Sequence, residues 1–159
     1  PGMEIGAVVE REMPLTDNYY RKIRGYSKGQ FNRLKGEMRL SELDPKKGYE
    51  FMNMGVMVLD KSILPHLNRQ TPEQFLRRPE FKRFIDGLGD WKWSTDQTLL
   101  NYWIRTAPIK YQKLHWKWNG LYPQNEKIKE CHFVHFFLSD HLPNKGENTA
   151  DLMQLIGES

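Results

Sequence analysis

The run "YEFMNMGVMVLD", residues 49 to 60, constrains the fold more than any other segment of the chain. Phe51, Met52, Val56, Met57, Val58 and Leu59 read as a buried strand. Asn53 and Gly55 interrupt it. A buried amide needs hydrogen-bond partners, and a glycine inside a strand weakens the strand. Two readings fit. In one, Gly55 marks a bulge or a close packing contact, and Asn53 bonds to neighbouring backbone. In the other, the glycine lets a ligand approach the backbone while the amide orients it. An amide offers both a donor and an acceptor, which suits a sugar hydroxyl.

The rest of the chain supplies strands and helices in alternation. In "MEIGAVVERE" the apolar centre Ile5 to Val9 is flanked by charge and reads as a short strand. It starts without a leading turn or cap, which points to the later part of a longer protein. Residues 16 to 40 are polar and basic, with apolar positions spaced loosely for helices and Gly25, Gly29 and Gly36 interrupting. "LDPKKGY" is a turn. Thr71, Pro72 and Gln74 form a capping-box helix start, and Arg78-Pro79 ends or kinks that helix. Phe81, Phe84, Ile85 and Leu88 form the apolar stripe of a second helix. "STDQTLLNYWI" is a third. "LHWKWNGLYPQ" reads as a strand followed by a turn at Asn119-Gly120, and "ECHFVHFFL", 130 to 138, as an apolar strand. "TADLMQLI" is a short terminal helix. About four strands alternating with helices predict an α/β fold with a mixed sheet flanked by helices.

Length and composition bound the function classes. The 159 residues suit a single domain, 1–159. A hydrophobic fraction of 38% with 28% charged residues excludes a disordered chain. No apolar run reaches the length of a membrane span, and no secretory signal is visible. The single cysteine, Cys131, rules out an internal disulfide. These features agree with a cytoplasmic protein. The net charge of +4 favours an anionic partner without choosing one.

Three constellations carry chemistry. In "WSTDQTLLN", Ser94 caps the helix, Gln97 completes the box, and Asp96 complements the macrodipole. Asp96 also shares the helical face of Leu99 and Trp103, which predicts an inward carboxylate in need of a partner. In "CHFVHFFLSDH", His132 and His135 stand three apart and face opposite sides of a strand, so they cannot share a metal from one face. A single cleft-facing imidazole remains available as a ligand. Between Asn18 and Gly36, six basic residues occur with no acid, among Tyr19, Tyr20, Tyr26 and Phe31. Such a mixture can hold nucleic acid. A solvated basic face is the plainer reading, because no recognised nucleic-acid motif accompanies it.

Taken in order, "IGAVVE", "FMNMGVMVLD", "STDQTLLN", "WKWNGLYP" and "VHF" resemble the second half of a GT-A-type glycosyltransferase domain of the family 8 and glycogenin-like group. The resemblance covers roughly residues 3 to 145. It implies the later half of a GT-A nucleotide-diphospho-sugar transferase fold, with the nucleotide-binding half upstream in cis or supplied by another chain. Asn53 and Gly55 would contact the donor sugar. Asp96 and Gln97 would hold the catalytic positions beside donor and acceptor. Asn119 would sit near the acceptor path. His135 would complete a Mn²⁺ (or Mg²⁺) site on the donor diphosphate. The reaction implied is retaining transfer of a hexose from a nucleotide-diphosphate sugar to a carbohydrate or protein acceptor. The family's Asp-x-Asp is absent from this chain, and Leu138 and His141 stand where the family carries glycine and lysine. Lys145 is then the candidate for that lysine's charge. A domain that keeps the fold without turnover is the other outcome.

Overall fold

The structure, a computed structural model, describes residues 2–19, 21, 51–86, 95–136 and 142–158. Strand β1 (Ile5–Val9) is the centre of a three-stranded mixed sheet. It runs antiparallel to β2 (Met52–Leu59) on one side and parallel to β3 (Tyr111–Leu114) on the other. Every β1 residue is buried, because neighbours occupy both its edges and both its faces. Ile5, Ala7 and Val9 join the main core, and Val8 joins a second cluster with Met13, Leu15 and Leu121. This is the period of two that a strand imposes.

Helix α1 (Leu64–Leu67) was not expected; α2 (Pro72–Leu76), α3 (Pro79–Asp86) and α4 (Thr95–Thr106) follow in the order expected, with α5 (Thr149–Glu158) near the end. The capping box at α2 is complete. The Thr71 hydroxyl accepts from the Gln74 amide at 3.3 Å, and Gln74 Oε1 accepts from the Thr71 amide at 2.9 Å. The chain breaks at Arg78-Pro79, where Arg78 donates to Gln70 Oε1 and the His66 carbonyl and lies over the Phe75 ring. Helix α4 packs Leu99, Tyr102, Trp103 and Ile104 against Phe51, Met52, Met54 and Phe81. Burial of this apolar face holds the helix to the sheet.

The second half of the sequence departs from the strand readings. Trp116–Trp118 is a 3₁₀ turn, capped by His115 Nδ1 accepting from the Lys117 amide at 3.3 Å. Gly120 opens strand β4 (Gly120–Tyr122) instead of a turn. It packs so closely on Cys131 and Ile128 that a Cβ there would collide with both. The segment predicted as a strand from 130 to 138 contracts, among the described residues, to β5 (Val134–Phe136), which pairs in parallel with β4. Its beginning is part of a 3₁₀ turn, Ile128–Glu130. His132 therefore lies outside the strand, and the opposite-face argument does not apply to it. There are thus five strands among the described residues, in sheets of three and two. Most of the basic segment 18–36, the turn at 43–49 and Ser94 lie outside the described residues.

Candidate functional site

The register of β1 on β2 slips at the interruption seen in the sequence. Val8 pairs with Asn53, while the adjacent Ala7 pairs with Met57. Met54, Gly55 and Val56 therefore bow out from the ladder, and the close-contact reading of Gly55 holds together with the bulge reading. The Met54 side chain enters the main core. Gly55 is exposed to solvent on one side and faces the His135 ring on the other; a Cβ at residue 55 would overlap the imidazole.

Asn53 sits at the base of this bulge with no solvent exposure. Its Nδ2 donates to Glu10 Oε1 at 3.0 Å. Its Oδ1 accepts from the Gly55 amide at 2.9 Å and from Asn119 Nδ2 at 2.7 Å. Glu10 follows β1 directly and is only 4% exposed. The same Glu10 oxygen accepts from Gln97 Nε2 at 2.9 Å, and Gln97 Oε1 accepts from the Met54 amide at 3.2 Å. One turn further along α4, Asn101 clamps Met52. Its Oδ1 accepts from the Met52 amide at 2.9 Å, and its Nδ2 donates to the Met52 carbonyl at 2.8 Å. Arg105 Nη1 adds a 3.0 Å bond to Asn101 Oδ1. The backbone groups released by the bulge are thus repaired by side chains, as buried polar groups require.

Burial pushes the Glu10 carboxyl above the usual carboxylate range, opposed by the two amide donors. Among the described residues, Glu10 Oε2 and Asn119 Oδ1 are buried without a hydrogen-bond partner. Burial lowers the His135 pKa below the ordinary imidazole value, so the neutral ring prevails at pH 7. Neutral imidazole is the form that ligates metals.

Asn53, Gly55, Gln97, Asn119 and His135 are therefore brought to one place. One residue departs from expectation. Asp96 is exposed, not turned inward. It sits in the first turn of α4, ahead of the apolar contacts that begin at Leu99, where the positive end of the helix suits a solvated carboxylate. Lys145 is exposed on the short turn Pro143–Gly146, in a left-handed conformation with φ of 56°. Glu10 and Asn101 are the members that sequence reasoning missed. Glu10 looked like a charged strand flank. Asn101 had one available signal, its position four residues after Gln97 on the same helix face. Among the described residues, no group of three or more His, Cys, Asp or Glu side chains is placed to hold a metal ion.

Comparison with models of known families, with curated proteins and with solved structures yields no match. Fold and site together define a class: a mixed α/β chain in which a strand bulge, a helix start and a parallel strand pair converge on a buried amide–carboxyl array beside an imidazole. Among the described residues, no helix is long and apolar enough to cross a membrane.

Proposed function

We propose that this chain is the acceptor-side portion of a metal-dependent, retaining glycosyltransferase domain of the GT-A type. It would move a hexose from a nucleotide-diphosphate sugar to an acceptor hydroxyl. One observation carries the proposal: residues 10, 53, 97 and 119, far apart in sequence, meet in one hydrogen-bonded array with His135 against Gly55. All five positions lie within the motifs on which the family resemblance rests.

The array is a support rather than the contact surface. Both acceptor directions of the Asn53 oxygen are already used, by Gly55 and by Asn119. Its work is to hold the bulge still, so that the exposed Gly55 backbone, the half-buried Gln97 and the exposed Asp96 face a sugar in one geometry. Preorganised polar groups stabilise charge that develops in a transition state without reorganising. The Asp96 carboxylate, free to face solvent, is the group to stabilise positive charge at the anomeric carbon and to orient the incoming hydroxyl. A bound Mn²⁺ would neutralise the departing diphosphate.

The test is transfer and binding with uridine and guanosine diphosphate sugars in the presence of Mn²⁺. The wild-type chain should bind one of them, and Asp96→Asn should lose roughly 100-fold or more in transfer with an unchanged melting temperature. Equal transfer by Asp96→Asn, with lowered thermal stability, would reduce Asp96 to a helix-start residue. His135→Ala should weaken Mn²⁺-dependent donor binding, and equal affinity in both proteins would remove His135 from the metal.

A further inference from the structure

The segments that carry Asn119 and His135 inward also carry two large aromatic side chains outward. Trp118 immediately precedes Asn119 and is 39% exposed; Phe133 lies two residues before His135 and is 51% exposed. Their rings stack, with centroids 5.9 Å apart and planes 23° from parallel. The exposed His132 ring meets Trp118 edge-on at 5.4 Å. The backbone fastens the two segments together on either side of the pair. The His132 amide donates to the Lys117 carbonyl at 2.7 Å, and the Gly120 amide to the Phe133 carbonyl at 2.9 Å. Lys117, next to Trp118 in sequence, pairs with Glu130 at 3.0 Å and lies over the Trp116 ring. Indole and phenyl rings held side by side in water leave apolar surface uncovered. With centroids 5.9 Å apart the near-parallel rings overlap only in part, and each keeps open surface for a flat ligand.

We propose that Trp118 and Phe133 form a stacking platform for the sugar rings of a carbohydrate acceptor. The choice of a sugar rests on the glycosyltransferase reading, and it deepens that reading by making the acceptor a glycan chain. Sugar rings have apolar C–H faces that lie on aromatic rings, and equatorial hydroxyls that reach polar neighbours. His132, edge-on to Trp118, supplies such a neighbour. The platform is continuous in sequence with Asn119 and His135, so a chain lying on it runs toward the bulge at Gly55.

The test omits the nucleotide sugar. The chain is titrated with maltohexaose, cellohexaose, xylohexaose and β-1,3-glucohexaose, read by tryptophan fluorescence and calorimetry. At least one should bind. Trp118→Ala and Phe133→Ala should each weaken that binding about tenfold, and Trp118→Phe should keep most of it, since an aromatic stack contributes on this scale. Melting temperatures should stay unchanged, because both side chains are exposed. The proposal is overturned by binding of none of the four, or by binding that survives both alanine variants. It is equally overturned if sedimentation shows that the alanine variants only abolish self-association. Oligosaccharide binding without any transfer would sink the transferase reading and leave the platform. Transfer with an unaltered acceptor KM in Trp118→Ala would do the reverse.

Discussion

Glu10 places one carboxyl oxygen against two amides, Asn53 Nδ2 and Gln97 Nε2, and leaves its other oxygen buried. This decides which way round both amides stand: each turns its NH₂ to Glu10 and its oxygen to a backbone N–H, on Gly55 and Met54 respectively. Burial raises the Glu10 pKa, so the folded state binds that proton more tightly than the unfolded chain does. The stability involved is fully present below the unfolded carboxyl range, near pH ~4.3. It is lost as pH rises through the raised folded value. Glu10→Gln keeps the accepting oxygen and removes the titration. Urea unfolding across this range should show the wild type losing stability relative to Glu10→Gln as pH rises. At neutral pH the variant should be at least as stable. Parallel stability curves would mean that Glu10 titrates normally. The difference between the two proteins is the relevant quantity, because the Glu4 carboxyl is pulled the other way by the Lys110 amide and His66.

Between elements, α4 is fastened to β2 by more than apolar contact. Asn101 behaves as a side-chain ladder rung, giving Met52 the donor and acceptor that a neighbouring strand would otherwise supply. Asn101→Leu keeps the volume and removes both bonds, leaving two buried Met52 backbone groups unpaired. Such groups cost about 1–3 kcal/mol each when unmet, so the variant should lose roughly 2 kcal/mol or more in urea denaturation. A loss below about 0.5 kcal/mol would show that the apolar face of α4 alone sets the docking. The helix starts were legible at this scale. The Thr71–Gln74 box and the break before Pro79 are local chemistry, and both occur where the sequence puts them. The strand reading at 114–120 was not, and of the one at 130–138 only Val134–Phe136 is strand among the described residues. Trp116, Trp118 and Phe133 have strand-like side chains, but the backbone there turns, pinned by His115 and by the packing of Gly120 on Cys131.

Across the whole molecule, β1 is the member on which both clusters and all three strands of the larger sheet depend. Its amides should exchange with deuterium more slowly than those of β4, β5 or α5, because they open only with the sheet. Equal protection in β1 and β4 would show instead that the sheet opens piecemeal. Length, composition and the alternation of apolar runs were sufficient to specify a mixed α/β chain, and left a bulge and a ligand contact both open at Asn53 and Gly55. The ordered motifs picked out Asn53, Gly55, Gln97, Asn119 and His135, which converge, but not the roles of Glu10 and Asn101. Only the tertiary structure decided what those residues do. Asn53 is consumed by Glu10, Gly55 and Asn119, Asp96 faces water, and Met54 fills the core. The physical reason is that burial and hydrogen-bond partners belong to pairs of residues distant in the chain. Glu10 and Gln97 are 87 positions apart, and no local pattern records that they share an oxygen.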